Sequence, residues 1–282
     1  MSAVDVLVLG GPDTGKSHYA GQLLGRLRYN RQGVLKLRPG GADDLNKFEE
    51  VLRCLEEGRT AGHTPTETWM GMKCQLETRN GAEVQLEWPD YAGERIDSIV
   101  ERRILPREWR KSISAAHAWM LFIRPSILKL HEDLLSRPTE LNPDQRTLGE
   151  HLVKRAGWDD RARYVEMLQM LLFASGQSTF KQISKPRLAV VLSCWDELNE
   201  DRTPEKVFQS RMPLLHAFIR SIWSGESWSA WALSSLGRAL DPNSRDDEFA
   251  RRGPENFGYV IPPGSTDQDP DLTSPVAWLL EV

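Results

Sequence analysis

The run Gly10-Gly11-Pro12-Asp13-Thr14-Gly15-Lys16-Ser17 carries the most specific chemistry in the sequence. Its GxxxxGKS spacing, directly after an apolar run and directly before a helical pattern, belongs to a loop that wraps a phosphate chain. Glycines let the backbone close around an anion, and amide hydrogens at a helix start donate to its oxygens. Lys16 places a point charge against the β and γ phosphates, and Ser17 offers its hydroxyl to Mg²⁺. Two further clusters extend the site. In Asp90-Tyr91-Ala92-Gly93-Glu94, Asp90 can hold a Mg²⁺ water and the Gly93 amide can meet a γ-phosphate. Ser193-Cys194-Trp195-Asp196 ends in a carboxylate that can accept paired hydrogen bonds from a guanine edge, which adenine does not supply.

Each cluster needs a strand end beneath it, and the apolar pattern provides one. Strands are predicted over 5–9, 69–78, 82–88, 118–123, 187–193 and 228–233, with helices over 16–27, 45–57, 96–111, 126–135, 161–175 and 204–223. Asn80-Gly81 is a type I′ hairpin signal, so the second and third strands pair antiparallel while the others need crossovers. The alternation implies an α/β fold: a mostly parallel sheet with one antiparallel edge strand, helices on both faces, and the site across the strand C-termini. Residues 136–160 are polar and hold Pro138 and Pro143, which reads as a helical insertion or a loop. Residues 241–271 are acidic and rich in Pro and Gly, which predicts a long surface excursion, and 273–282 recover enough apolar residues for a short docking helix. The expected organisation is one nucleotide-binding domain over 1–240, with an insertion at about 126–185, followed by 241–282.

Composition bounds the partners. Among 282 residues, Lys+Arg number 36 and Asp+Glu 40, a net charge of -4, so no global field favours a polyanion or an anionic membrane. The longest nearly uncharged apolar run, 113–123, is too short for a spanning helix of roughly 20 residues, and the first residues lack a basic leader. The cytoplasm is the expected compartment. Cys54, Cys74 and Cys194 form no CxxC pair, which fits reduced thiols. His18, His63, His117, His131, His151 and His216 show no zinc-ligand spacing. Ten tryptophans are the compositional oddity.

GGPDTGKS, the Asn-Gly hairpin, DYAGE and SCWD stand in the order and at about the spacing of the Ras-like P-loop GTPases of the translation-factor-related class. The insertion and the PVAWLLEV ending resemble the bacterial double-GTPase families found in conflict or defence loci. The resemblance implies a three-layer P-loop NTPase fold, GTP or GDP as ligand and Mg²⁺ as cofactor. It places Gly10, Pro12, Asp13, Thr14, Gly15, Lys16, Ser17 and His18 at the phosphates, with Asp196 reading guanine and the loop at Ser234 behind it. Ser17, Asp90 and a threonine of the first switch would hold Mg²⁺; Thr68 fits by distance from the hairpin and Thr66 by its Pro65 neighbour. Gly93, Glu94 and Lys16 would act on the γ-phosphate. The implied partner is a protein, such as a second GTPase; an oligomer stays open, and neither nucleic acid nor a membrane span is indicated.

Three positions depart from that pattern. Ser193 and Cys194 stand where the base-reading motif carries asparagine and lysine, and a cysteine cannot stretch an alkyl stem over the purine. Trp195 either supplies the missing stacking surface or packs in the core. Glu94 occupies the place of a water-orienting glutamine, and Arg59, Arg95, Arg102 and Arg103 are the nearby cations that could offset its charge. Trp109, between Arg107 and Arg110, suits either a partner contact or the core. Three functions remain: a GTP-hydrolysing switch, a nucleotide-binding module without turnover, and an ATP-using P-loop enzyme.

Overall fold

The computed structural model describes residues 3–29, 33–43, 45–61, 70–81, 83–90, 100–129, 159–177 and 180–281. Its sheet has eight strands: β1 (Ala3–Leu9), β2 (Leu35–Asp43), β3 (Met70–Thr78), β4 (Glu83–Asp90), β5 (Ala118–Ile123), β6 (Arg187–Ser193), β7 (Trp228–Ser234) and β8 (Tyr259–Ile261). The order is β2-β3-β4-β1-β5-β6-β7-β8. β4, β1, β5, β6 and β7 run parallel, as crossover connections require. The hairpin at Asn80-Gly81 pairs β3 antiparallel with β4, β2 continues antiparallel on β3, and β8 closes the far edge antiparallel to β7.

Helices cover both faces because the inner strands are apolar on both. In β1, Val6 and Val8 point to one side and Leu7 and Leu9 to the other, all buried. The first side receives α1 (Lys16–Tyr29) through Tyr19, Leu23 and Leu27, α2 (Asn46–Glu56) through Phe48 and Leu52, and the C-terminal helix over Ser274–Leu279 through Val276 and Leu279. The second side receives α3 (Arg107–Ala115) through Trp109 and Ile113, and α4 (Asp160–Ala174) through Leu168 and Leu172. Beside them lie α5 (Pro204–Arg211) and α6 (Pro213–Ile222), holding Phe208, Leu215 and Ile219 inside. The expected α/β layer fold is therefore present.

Four differences from the sequence expectation have local causes. The single helix predicted over 204–223 divides at Met212, because the residue before Pro213 is held out of the helical region and Pro213 has no N–H to donate. The helix predicted over 96–111 is interrupted: Arg103 takes a left-handed φ of 53°, Pro106 follows, and helix resumes at Arg107. β2 was not legible because it contains Pro39-Gly40-Gly41, turn residues tolerated at an edge strand, where the pairing with β3 shifts register between Leu37 and Ala42. Within 241–271 lie a further helix, α7 (Asp247–Arg252), and the three-residue β8. This stretch packs onto α1: Arg26 donates to the carbonyls of Glu255 and Phe257, and Phe249 stacks on Phe257 with ring centroids 4.3 Å apart. The C-terminal helix, α8, is tied down by Tyr19, whose hydroxyl donates to the Leu272 carbonyl at 2.7 Å.

The helix predicted over 126–135 starts as a 3-10 turn at Pro125–Ile127; 130–158 lie outside the described residues. Trp109 and Trp195 are 2% and 3% exposed, so both belong to the core. That removes Trp109 as a partner contact and Trp195 as a stacking surface for the base.

Candidate functional site

Between β1 and α1 the chain turns through Gly10–Gly15 in conformations that the residue types permit. Gly10 has φ 144°, and a side chain there would lie 2.8 Å from the Phe122 carbonyl oxygen. Gly15 has φ 77°, and Asp13 takes φ 58°, a left-handed region that Asp enters more readily than most residues. Thr14 Oγ1 donates to the Gly11 carbonyl at 2.9 Å, cross-bracing the loop. Lys16 is buried at the head of α1, and its Nζ donates to the carbonyls of Gly10 at 3.0 Å and Gly11 at 2.6 Å and to Thr14 Oγ1 at 3.2 Å. The ammonium is thus folded into the loop concavity, where amide hydrogens at the start of α1 also converge. Ser17 and His18 follow on the first turn of α1, both half-buried.

Outside that loop stands Tyr164 of α4, its hydroxyl 4.0 Å from where a Gly11 side chain would begin. Burial, with Asp160 nearby, pushes the Tyr164 hydroxyl well above the ordinary tyrosine range. A cavity of about 360 Å³ opens between α4 and the loop, lined among others by Pro12, Asp13, Arg124, Lys129, Arg163 and Tyr164.

The second half of the site is built on β6, β7 and β8. β6 ends at Ser193, whose Oγ donates to the Ile123 carbonyl at 3.2 Å. Cys194 then turns left-handed with φ 51°, and a 3-10 turn over Trp195–Glu197 presents Asp196. The Cys194 Sγ lies 3.7 Å from where a Gly15 side chain would begin, so the two loops touch. Burial pushes the Cys194 thiol up to about 11, leaving it uncharged at neutral pH. Ser234, the last residue of β7, donates from Oγ to Asp196 Oδ1 at 2.5 Å and accepts from the Gly237 amide at 3.0 Å. Gly258 packs against this loop so closely that a Cβ would stand 2.4 Å from the Ser235 oxygen, which explains a glycine at φ 82° there. Tyr259 pairs with Ser234 in the β7–β8 register. Burial, reinforced by the charge of Asp196, raises its hydroxyl above the usual range.

Gly10 through His18, Asp196 and Ser234 are thus brought to one edge of the sheet, beyond the C-termini of β1, β6 and β7. β4 runs parallel to β1 with Asp5 level with Glu87, so its last residue, Asp90, reaches the same edge. Thr66, Thr68, Gly93, Glu94 and Arg95 lie outside the described residues. Of the other cations considered for Glu94, Arg59 pairs with Glu57, and Arg103 turns to Glu166 of α4 at 2.8 Å. The arginine that does stand at the phosphate loop is Arg124, whose Nη1 donates to the Asp13 carbonyl at 3.0 Å. Sequence reading missed it, along with Tyr164 and Tyr259. The available signal was positional: Arg124 is the first residue past a fully buried strand that ends at this edge.

A glycine-rich loop at the head of α1 and Asp196 on the turn after β6 share one edge of a mostly parallel sheet held between two helix layers, the layout of a P-loop nucleotide-binding domain. Residues 7–279 match the family model described as Double-GTPase 1. The chain belongs to that family. No curated protein matches it. Among solved structures it is similar to the Arl6 BBS3 small GTPase from Trypanosoma brucei with a bound nucleotide analogue GppNp, at 10% identity and TM-score 0.42, covering 99% of this chain and 96% of that one. It is also similar to the Methanosarcina barkeri Roco2 RocCORdC bound to GDP, at 13% identity and TM-score 0.35, covering 100% of this chain and 50% of that one. A third is the bacterial selenocysteine-specific elongation factor EF-Sec, at 10% identity and TM-score 0.37, with coverages of 100% and 29%. No helix among the described residues is long and apolar enough to cross a membrane.

Proposed function

We propose that the chain is a guanine-nucleotide switch that binds GTP with Mg²⁺ and hydrolyses it to GDP, slowly alone and faster with a protein partner. The observation that carries this reading is one sheet edge holding both the loop around buried Lys16 and Asp196 braced by Ser234. The loop amides and Lys16 hold the phosphates. Asp196, whose Oδ1 already accepts from Ser234, is presented as an acceptor for the donors on a guanine edge.

The oxygen donors here suit a hard cation: the hydroxyl-bearing Ser17 lies in the first turn of α1, and β4 delivers Asp90 to the same edge. Ser17 would hold Mg²⁺ directly and Asp90 through water, with Thr66 or Thr68 joining from the first switch. Bound there, the ion would neutralise charge on the β and γ phosphates. Gly93 would donate its amide to the γ-phosphate, so that residues 59–68 and 90–103 order with GTP and release after hydrolysis.

Glu94 is what makes the chain slow alone. An ionised glutamate accepts but does not donate, and like charges about 4 Å apart at an effective dielectric near 20 repel by roughly 4 kcal/mol. Glu94→Gln is expected to speed single-turnover GTP hydrolysis; an unchanged or slower rate would refute the repulsion. The nucleotide that co-purifies tests the base: GDP or GTP supports the reading, and ATP overturns it. Glu94 and Cys194 also support a second reading, a binding module without turnover, which tight GTP affinity with no single-turnover hydrolysis would establish. The family's description as a double GTPase supports a second GTPase as partner, and the proposed setting is a bacterial defence locus that encodes it nearby; co-purification with neighbouring gene products tests that.

A further inference from the structure

The base-reading motif lacks its cation because position 194 is a half-buried, uncharged cysteine. The structure supplies one from another strand. Arg124, immediately after β5, extends between the phosphate loop and the base-reading turn. Its Nη1 donates to the Asp13 carbonyl at 3.0 Å, and its Nε donates to Glu197 Oε2 at 2.9 Å while Nη2 reaches Oε1. Glu197 is the neighbour of Asp196 in the same 3-10 turn and also accepts from Ser126 Oγ. The guanidinium therefore ties three elements: the loop that holds phosphates, the end of β5, and the turn that presents the base reader.

This pair differs from an ordinary surface ion pair, which contributes little. It is bidentate, so it fixes direction as well as distance. It is also partly sheltered, with Arg124 27% and Glu197 29% exposed at their side chains. The Asp13 carbonyl is aimed at the guanidinium by a left-handed backbone at φ 58°. Burial works against the charge on Glu197, yet the hydrogen bonds from Arg124 and Ser126 outweigh it and hold that carboxyl below the usual range. The strut stays charged at both ends at neutral pH.

We propose that Arg124 is a specificity-determining positioning residue, a strut that sets the span between the phosphate loop and Asp196 and supplies from β5 the cation that position 194 lacks. Its ligand class is that of the proposed function, a guanosine di- or triphosphate, on which this inference rests. A nucleotide gripped at both ends demands one fixed span; without the strut, each half-site binds but the two no longer bind in register.

The test compares Arg124→Gln, Arg124→Lys and Glu197→Gln with wild type in two readouts: release of fluorescently labelled GDP, and the ratio of affinities for GDP and IDP, which lacks the amino group that Asp196 reads. Arg124→Gln is expected to speed release by about tenfold, the scale of a lost charge-assisted contact. It should also shrink the GDP-over-IDP preference severalfold. Glu197→Gln should do the same, and the double variant should add nothing further, because both break one strut. Should Arg124→Gln fail to fold, Arg124→Lys, which keeps the charge without the bidentate grip, gives the same two readouts at smaller amplitude. Faster release with an unchanged GDP-over-IDP ratio, or no change in either, overturns the strut. A wild-type chain that binds no GDP instead overturns the function on which it rests.

Discussion

The two halves of the site solve different problems with different materials. The phosphate loop is continuous in sequence, and its shape is set mainly by backbone: Gly10 and Gly15 at positive φ, Asp13 left-handed, and Lys16 folded onto carbonyls within its own loop. The half around Asp196 is assembled from three strands and rests on side chains: Ser234 of β7 donates to Asp196 beyond β6, while Gly258 and the first residue of β8, Tyr259, close in behind. In the proposed function, affinity for a charged group would come from this compact local device. Selectivity for a neutral base edge needs a scaffold that holds one carboxylate at a set place and distance.

That contrast ranks the expected losses. Lys16→Ala should be the most damaging, because charged hydrogen bonds to two phosphates go together. At about 1.5–3 kcal/mol each, affinity for GDP and ADP alike should fall more than about a hundredfold by fluorescence titration. A small loss, or one confined to GDP, would break the division between the two halves. Asp196→Ala should cost about 1.5–3 kcal/mol for GDP, roughly ten- to a hundredfold, and leave weak ADP binding almost unchanged in the same assay. Equal losses for both nucleotides would show that Asp196 does not read the base. Ser234→Ala should be the mildest, near 1 kcal/mol or about fivefold for GDP, since it removes a brace and leaves the carboxylate. An effect as large as that of Asp196→Ala would mean that the brace itself decides the aim.

The same contrast governs what could be read before folding. The phosphate loop was fully legible because its conformation is set by Gly10, Gly15 and the flanking strand and helix patterns. Asp196 was legible because 187–193 is a buried apolar run with a polar end, and β6 keeps those limits unchanged. Arg124 was not, since its partner Asp13 lies 111 residues away and no periodic pattern connects them. Nor was β8: three residues within an acidic, Pro- and Gly-rich stretch carry no strand signal, and only pairing with β7 makes them one. Trp109 and Trp195 each offered a surface and a core reading from sequence, and packing against the sheet decided for the core.

By itself, then, the sequence determined the layered α/β class, the glycine-rich loop after β1 and the carboxylate past the end of β6. These depend on short-range rules: apolar runs that must be buried, glycines that permit a turn, and an acid at a strand end. Tertiary structure alone decided that Arg124 reaches both the Asp13 carbonyl and Glu197, that Ser234 braces Asp196, and that an acidic surface stretch returns to finish the sheet. Those choices are contacts between distant segments, and each forms only because the parallel sheet brings the ends of β1, β5, β6 and β7 to one edge.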